Sequence, residues 1–503
     1  MSYLSDRNRT KAAWEWPLGE VGVVALLLVV YMLTLPPTLT WAHHGADGGD
    51  LVTAVARGSI PHPPGFPTYL LLGESFIRLP WGNPAWRLNL MSAVLAVGAV
   101  GLTTAAVRLL LRSGICNPQA ATSNLHSPTS ILQPPFSILH SPSSIVHPPL
   151  CAGLSLGLAP LFWSQALIAE VYAPAAFFAA LVGYLALRGG PAWALGLAWG
   201  VGIGAHPTLM LLAPLVAWGA WKKPGFSEKT WFLAQAGLLT FLGWGTMYGP
   251  VLLARGGVPS PWGDVSTFGG WWALVSGRMY HEYLFRLPLA AWPQRLLAWA
   301  GLLARQFTPL GALLAGLGWV HLWREWRSLA WASALAFGTL SLYALGYNTA
   351  DSLVYLVLVL PLAALSLGMG LVQASDWLEK RLRHGAWLLL LLPLLQALLF
   401  WGQMDLSRDR VAMDWAEQVL GEAPPQAMLL TAQDAHTFAL WYVHDVLDER
   451  PDAVVVDQDL WGQESYRRMM TETLGLANAD ADLSPEEAAR RAGRPVVKVT
   501  NHQ

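Results

Sequence analysis

Charge is what this sequence has least of. Only 13% of its 503 residues are Asp, Glu, Lys or Arg, and 54% are hydrophobic; soluble domains carry about 25% charged residues. The apolar residues fall in long blocks, which excludes a single soluble core and predicts a polytopic membrane protein. Cysteine is nearly missing: Cys116 and Cys151 alone provide neither a disulfide framework nor a metal-ligand cluster. A net charge of −1 lacks the electrostatic footprint of a nucleic-acid binder, so no nucleic-acid partner is expected. There is no Walker-type phosphate loop, no metalloprotease helix motif and no nucleophile elbow. Tryptophan is plentiful instead, with 27 residues suited to membrane interfaces.

The blocks predict a polytopic α-helical membrane protein of about 11 transmembrane helices, with a small soluble α/β domain at the C-terminus. The expected spans are Leu18–Pro36, Trp86–Leu111, Leu150–Ile168, Ala173–Leu187, Ala192–Ala205, Pro207–Trp221, Trp231–Leu253, Phe307–Trp323, Leu329–Leu345, Leu353–Val372 and Gly385–Trp401. The pair meeting at His206-Pro207 is short and also reads as one long kinked helix. Arg7, Arg9 and Lys11 precede an apolar run with no small-residue cleavage site after it, so the first span is expected to stay uncleaved. The stretch 113–149 is proline-rich and repeats Leu125-His126-Ser127-Pro128 as Leu139-His140-Ser141-Pro142, which reads as a flexible low-complexity insert.

The short basic connections fix an expected orientation. Arg7, Arg9 and Lys11, Lys222 and Lys223, Arg324 and Arg327, and Lys380, Arg381 and Arg383 fall on one side when the spans are threaded, the cytoplasmic side. The outer face then collects loop 37–85, the Glu170 connection, loop 255–295 and the connection Asn348-Thr349-Ala350-Asp351. Residues 1–403 form the membrane domain. Residues 404–503 hold 18 of the 32 acidic residues and only 9 Lys or Arg. There Ala427–Thr431 reads as a strand, Ala435–Val446 as a helix and Asp452–Val456 as a strand, a βαβ unit expected outside the cell membrane.

The first outer loop carries the densest chemistry: Asp47-Gly48-Gly49-Asp50 and His62-Pro63-Pro64-Gly65-Phe66-Pro67. Polar groups beside a bilayer are costly unless solvated or used. Asp50 also suits the start of a short helix and Gly48-Gly49 a turn. Read as chemistry, a carboxylate here is a general base for an acceptor hydroxyl attacking a sugar's anomeric carbon. A phosphate leaving group departs without protonation, so the second carboxylate is free to position the first or to bind a divalent metal. His62 is a hydrogen-bond donor to phosphate or sugar. Glu170, Tyr172, His206, Arg278 and Tyr280 are candidates for the donor side, with Arg278 a clamp on a lipid-linked phosphate. Asp351 suits a connection cap. Asp457-Gln458-Asp459 mimics the metal-binding Asp-x-Asp of soluble glycosyltransferases, but its domain is too small for that fold.

These segments, with Gly82-Asn83-Pro84, Arg87-Leu88-Asn89 and Phe162-Trp163-Ser164-Gln165 running to Glu170-Val171-Tyr172, resemble the bacterial protein O-mannosyltransferase-like membrane family. The resemblance covers Leu18 to Tyr283 and is looser beyond. It implies a GT-C architecture and transfer with inversion from a polyprenyl-phosphate sugar to a protein hydroxyl at the outer membrane face. It further implies a catalytic acid in the first outer loop, at Asp47 or Asp50. Asp50 stands where relatives carry Glu, a departure from the pattern. The expected partners are membrane lipid, a lipid-linked sugar donor and a protein acceptor. The competing expectation is a transporter or flippase of lipid-linked sugars, for which His206 in an apolar block is the one favouring feature.

Overall fold

The structure is a computed structural model and describes residues 18–115, 142–476 and 483–499. Residues 116–141 of the expected insert, with its repeats as far as Ser141, and Arg7, Arg9 and Lys11 lie outside the described residues, while 142–149 are helical.

The first helix, α1 (Leu18–Thr34), is followed by the outer loop, which holds α2 (Gly48–Arg57) and α3 (Pro67–Ile77). Next come α4 (Pro84–Ile115), α5 (Pro142–Gly157), α6 (Pro160–Ala166), α7 (Tyr172–Arg188), α8 (Ala192–Ile203), α9 (Ala213–Trp221) and α10 (Phe226–Thr246). The second long loop holds α11 (Phe268–Val275) and leads through α12 (Trp292–Gln306) to α13 (Thr308–Glu325), α14 (Arg327–Gly346), α15 (Leu360–Glu379) and α16 (Leu391–Met404). Among the described residues, four helical stretches are long and apolar enough to cross a membrane: Pro84–Arg112, Arg327–Gly346, Ser352–Glu379 and Gly385–Met404. Shorter apolar helices cover Leu18–Thr34, Tyr172–Arg188, Ala192–Ile203 and Pro207–Trp221.

Prolines account for the departures from the expected spans. The block 150–168 is broken after Gly157, because Pro160 has no N–H to continue the ladder and starts α6 instead. The block 231–253 ends its α-helix at Thr246, and Met247–Val251 opens into a wide turn around Pro250. At His206-Pro207 the chain reverses rather than kinks. Lys222 Nζ, just past α9, donates to the carbonyls of Ala186 and Leu187 at the end of α7, beside the start of α8. Helices α8 and α10 pack closely because Gly196 and Gly200 lie against the Ala236 and Thr240 carbonyls, where any Cβ would collide.

After Met404, α17 (Val411–Glu422) precedes a three-stranded parallel sheet in the order β2-β1-β3, with β1 Met428–Thr431, β2 Val454–Asp457 and β3 Val496–Lys498. Met428 pairs with Val454 on one side and Val496 on the other. Helix α18 (Asp434–Trp441) links β1 to β2, and α19 (Glu464–Thr473) and α20 (Pro485–Arg491) precede β3. Strands β1 and β2 are buried throughout, as parallel strands covered on both faces are, whereas β3 at the edge is only partly buried. The sheet is docked rather than tethered: α18 packs on α2, and one buried apolar cluster runs from Val23 of α1 into β1 and β2.

Candidate active site

The first outer loop is set by the Gly82–Asn89 motif. Asn83 Nδ2 donates to the Pro37 carbonyl at 2.9 Å and Asn89 Nδ2 to the Thr38 carbonyl at 3.0 Å, while Asn83 Oδ1 accepts the Trp86 N–H and caps α4. The loop then crosses a tight turn, Ala42–Asp47, in which His43 and His44 hold φ of 59° and 66°. Two successive non-glycine residues in the left-handed region are costly, about 1–3 kcal/mol each, and persist where the surroundings hold them. Gln165 Nε2 donates to the His43 carbonyl at 3.1 Å, which ties the turn to the Phe162–Gln165 motif. Asp47 stands at the end of that turn.

Asp50 lies in the first turn of α2, yet its side chain does not cap the helix. Its Oδ2 accepts the His62 N–H at 2.8 Å and the His62 Nδ1 at 2.7 Å, and its Oδ1 accepts the Trp262 indole N–H at 3.0 Å. With three donors in place and 3% exposure, Asp50 is an orienting group. It turns the imidazole so that His62 Nε2 faces Asp47 Oδ2 at 3.5 Å. Burial opposes the charged imidazole, but Asp47 and Asp50 outweigh it and raise His62 to about 9. His62 is therefore a cation at neutral pH, donating from both nitrogens. The Asp47 side chain is 40% exposed. Its surroundings, and then Asp50 and Asp351, push its carboxyl up, while His62 pulls it down. An accessible carboxylate of raised basicity beside a fixed cation is equipped to take a hydroxyl proton.

Glu170 sits between α6 and α7, buried, with one oxygen unpaired and the other accepting the Val171 N–H at 3.3 Å. Burial, then Asp47, raise its carboxyl well above the ordinary range. The buried Tyr69 hydroxyl also has no hydrogen-bond partner among the described residues, and Glu170 acts on it. An aromatic wall adjoins: Tyr172 lies 5.7 Å from His206 and 5.8 Å from Tyr355, and His206 stacks on Phe66 at 5.9 Å. His206 Nδ1 accepts the Thr208 N–H at 3.2 Å. Burial, then His62, depress His206 to about 3, so it is neutral.

Seven of the eight expected residues thus converge: Asp47, Asp50, His62, Glu170, Tyr172, His206 and Tyr280, whose phenol lies in the field of Asp47 and Asp50. Arg278 is exposed at the start of the turn Arg278–Tyr283, two residues before Tyr280. The helix-start reading of Asp50 gives way to the three bonds above. The Asp-x-Asp of β2 also has a structural use: Asp457 accepts the Thr437 hydroxyl at 2.6 Å and the Asp459 and Leu460 N–H groups at 2.9 Å.

Four residues enter that the sequence reading did not assign to the site. Trp262 bonds Asp50, and Tyr355 belongs to the aromatic wall. Asp351 makes no side-chain cap and acts on Asp47 and Glu170. Asp434 of α18 acts on His62 and Tyr280. The 348–351 connection, expected on the outer face, and the Pro261-Trp262-Gly263 turn were the available signals for Asp351 and Trp262. Among the described residues no group of three or more His, Cys, Asp or Glu side chains is arranged to hold a metal ion.

The fold is a GT-C-like membrane fold. ArnT from Cupriavidus metallidurans bound to undecaprenyl phosphate superposes with a TM-score of 0.53 at 12% identity, covering 88% of this chain and 90% of that one. Its apo state gives 0.50 at 14% identity over the same shares. Residues 47–229, about a third of the chain, match the family described as Protein O-mannosyl-transferase TMEM260 N-terminal domain. The curated mouse (Mus musculus) Protein O-mannosyl-transferase TMEM260 is 39% identical over 85 residues, 17% of this chain and 12% of that protein. The matched segment takes in Asp47, Asp50, His62, Glu170, Tyr172 and His206.

Proposed function

We propose that this chain is an inverting glycosyltransferase moving a sugar, mannose in our reading, from a polyprenyl-phosphate donor to a protein Ser or Thr hydroxyl at the outer membrane face. The observation that carries the reading is the line Asp50–His62–Asp47, an accessible carboxylate held beside a cation that a second, fully bonded carboxylate orients. In the transfer, Asp47 takes the acceptor hydroxyl proton as that oxygen attacks the anomeric carbon. The bond from that carbon to the phosphate oxygen breaks, its electron pair leaves with the phosphate, and the configuration inverts. The phosphate needs no proton from the protein, so one base suffices. Glu170, with Tyr172, His206, Tyr280 and Arg278, lines the donor side.

The likeness to a structure holding undecaprenyl phosphate and to a relative named an O-mannosyl-transferase supports the donor and acceptor classes. The same reading takes eleven crossings, a cytoplasmic N-terminus and an extracytoplasmic domain at 404–503. The feature that favoured a transporter, His206, lies at a helix reversal against Phe66 and Tyr172 rather than inside a broken helix.

The test uses purified protein in lipid, radiolabelled polyprenyl-phosphate mannose and a membrane-protein extract as acceptor. Label should reach protein with wild type and fall at least about a hundredfold with Asp47→Asn, the usual scale of a lost general base. Equal transfer by both would move the base elsewhere. Donor binding with no transfer by wild type would instead favour the transporter. EDTA in the same assay reads out any dependence on a divalent metal.

A further inference from the structure

Helix α18 of the C-terminal domain is built into the site rather than parked beside it. Trp41, in the first outer loop, donates its indole N–H to the Ala435 carbonyl at 3.0 Å. Gly49, between the two loop carboxylates, lies so close under the Phe438 carbonyl that a Cβ would collide with it. Trp262, already bonded to Asp50, meets the Phe438 ring at 5.9 Å and the Trp441 ring at 6.4 Å. These contacts fix the first residue of α18, Asp434, over the loop. Asp434 is exposed, does not cap its own helix and, among the described residues, makes no hydrogen bond or ion pair. Its carboxylate acts on His62 from the first loop and on Tyr280 from the second, and Asp47 acts on it in turn. Asp434 is therefore an exposed, unengaged carboxylate that the α/β domain holds beside the loop carrying Asp47.

We propose that Asp434 is an acceptor-binding residue, taking a hydrogen bond from an N–H or ammonium group of the acceptor polypeptide next to its reacting hydroxyl. The assignment rests on the glycosyltransferase reading above. The local charges choose the acceptor over the donor. Asp434 faces Asp47, Asp457 and Asp459, and the nearby cation, His62, is already shared between Asp47 and Asp50. A lipid-linked phosphate is repelled from this corner, whereas an amide or a lysine is attracted. Asp434 also follows directly on the carboxyl end of β1, the central strand. That edge is where open parallel sheets bind ligands.

The experiment compares wild type, Asp434→Asn and Asp434→Glu as full-length protein in lipid. Acceptors are a synthetic Ser/Thr peptide with Lys beside the hydroxyl residue and the same peptide with Glu there. Expected for Asp434→Asn is an acceptor KM raised about tenfold, the scale of one charge-assisted hydrogen bond. The donor KM and kcat stay within about twofold, the Lys peptide loses more than the Glu peptide, and Asp434→Glu recovers most of the loss. An unchanged acceptor KM, or a fall in kcat alone, overturns the assignment. If wild type transfers nothing, the glycosyltransferase reading fails by itself. Peptide binding to the same two proteins then still decides Asp434, since equal affinities would overturn it.

Discussion

His62 connects stability to chemistry in one side chain. Its imidazole is held by Asp50 at 2.7 Å and faces Asp47 at 3.5 Å, and these carboxylates lift it to about 9 against the opposing effect of burial. A histidine raised on folding contributes stability that is fully present below its unfolded pKa, about 6.5, and is lost as pH rises through the folded value. The contribution is on the order of 3 kcal/mol. Thermal unfolding in detergent should therefore show wild type losing stability from about pH 6.5 to pH 9, while His62→Gln is less stable at pH 6 and flat across that window. Parallel curves for the two proteins would detach His62 from the pair of carboxylates. Asp47, Asp50 and His62 are legible in the sequence because charged groups in an apolar chain have few structural excuses. Their division of labour is not, since a motif gives types and spacing but not which carboxylate is saturated with donors. Trp262 and Tyr355 are hidden for the opposite reason: among so many aromatic residues, one tryptophan or tyrosine carries no signal.

At the scale of elements, the helix α2 shows how the site depends on backbone approach. Gly49 reads as a turn residue in sequence, yet it lies inside a helix, and its missing Cβ is what lets α18 settle on α2. Gly49→Ala forces a methyl group into the Phe438 carbonyl, an overpacking that costs about 2 kcal/mol. The cost should appear locally: faster hydrogen exchange over Asp434–Trp441, with α8 and α10 unchanged, and impaired transfer despite intact Asp47. Unaltered exchange at α18 would mean that the domain is held by its other ties, such as Tyr442 to Asn83 at 3.3 Å. Apolar run length predicts where helices lie, and the prolines at 160 and 250 then cut them, because a missing N–H acts through the hydrogen-bond ladder and not through hydropathy. Strand β3 and its pairing with β1 escape the sequence reading because three residues carry no periodicity.

At the scale of the whole molecule, the charge distribution and the site make one claim about sidedness. The acidic domain at 404–503 docks on the loop that carries Asp47, so catalytic loop and domain must share a face of the membrane, whichever face that is. The short basic connections predict that this face is the outside. Two single-cysteine variants in a Cys116→Ser, Cys151→Ser background test it: Thr473→Cys on exposed α19 and Ser227→Cys at the exposed start of α10, beside Lys222 and Lys223. A membrane-impermeant maleimide on intact cells should label Thr473→Cys at once and Ser227→Cys only after permeabilisation. The reverse pattern would put Asp47 in the cytoplasm. Labelling of both from outside would break the eleven-span threading between α10 and the domain while leaving the site geometry untouched. The docking of α18 on α2 binds the two halves of the prediction together, because the sidedness of Thr473 fixes that of Asp47 without any probe at the site itself.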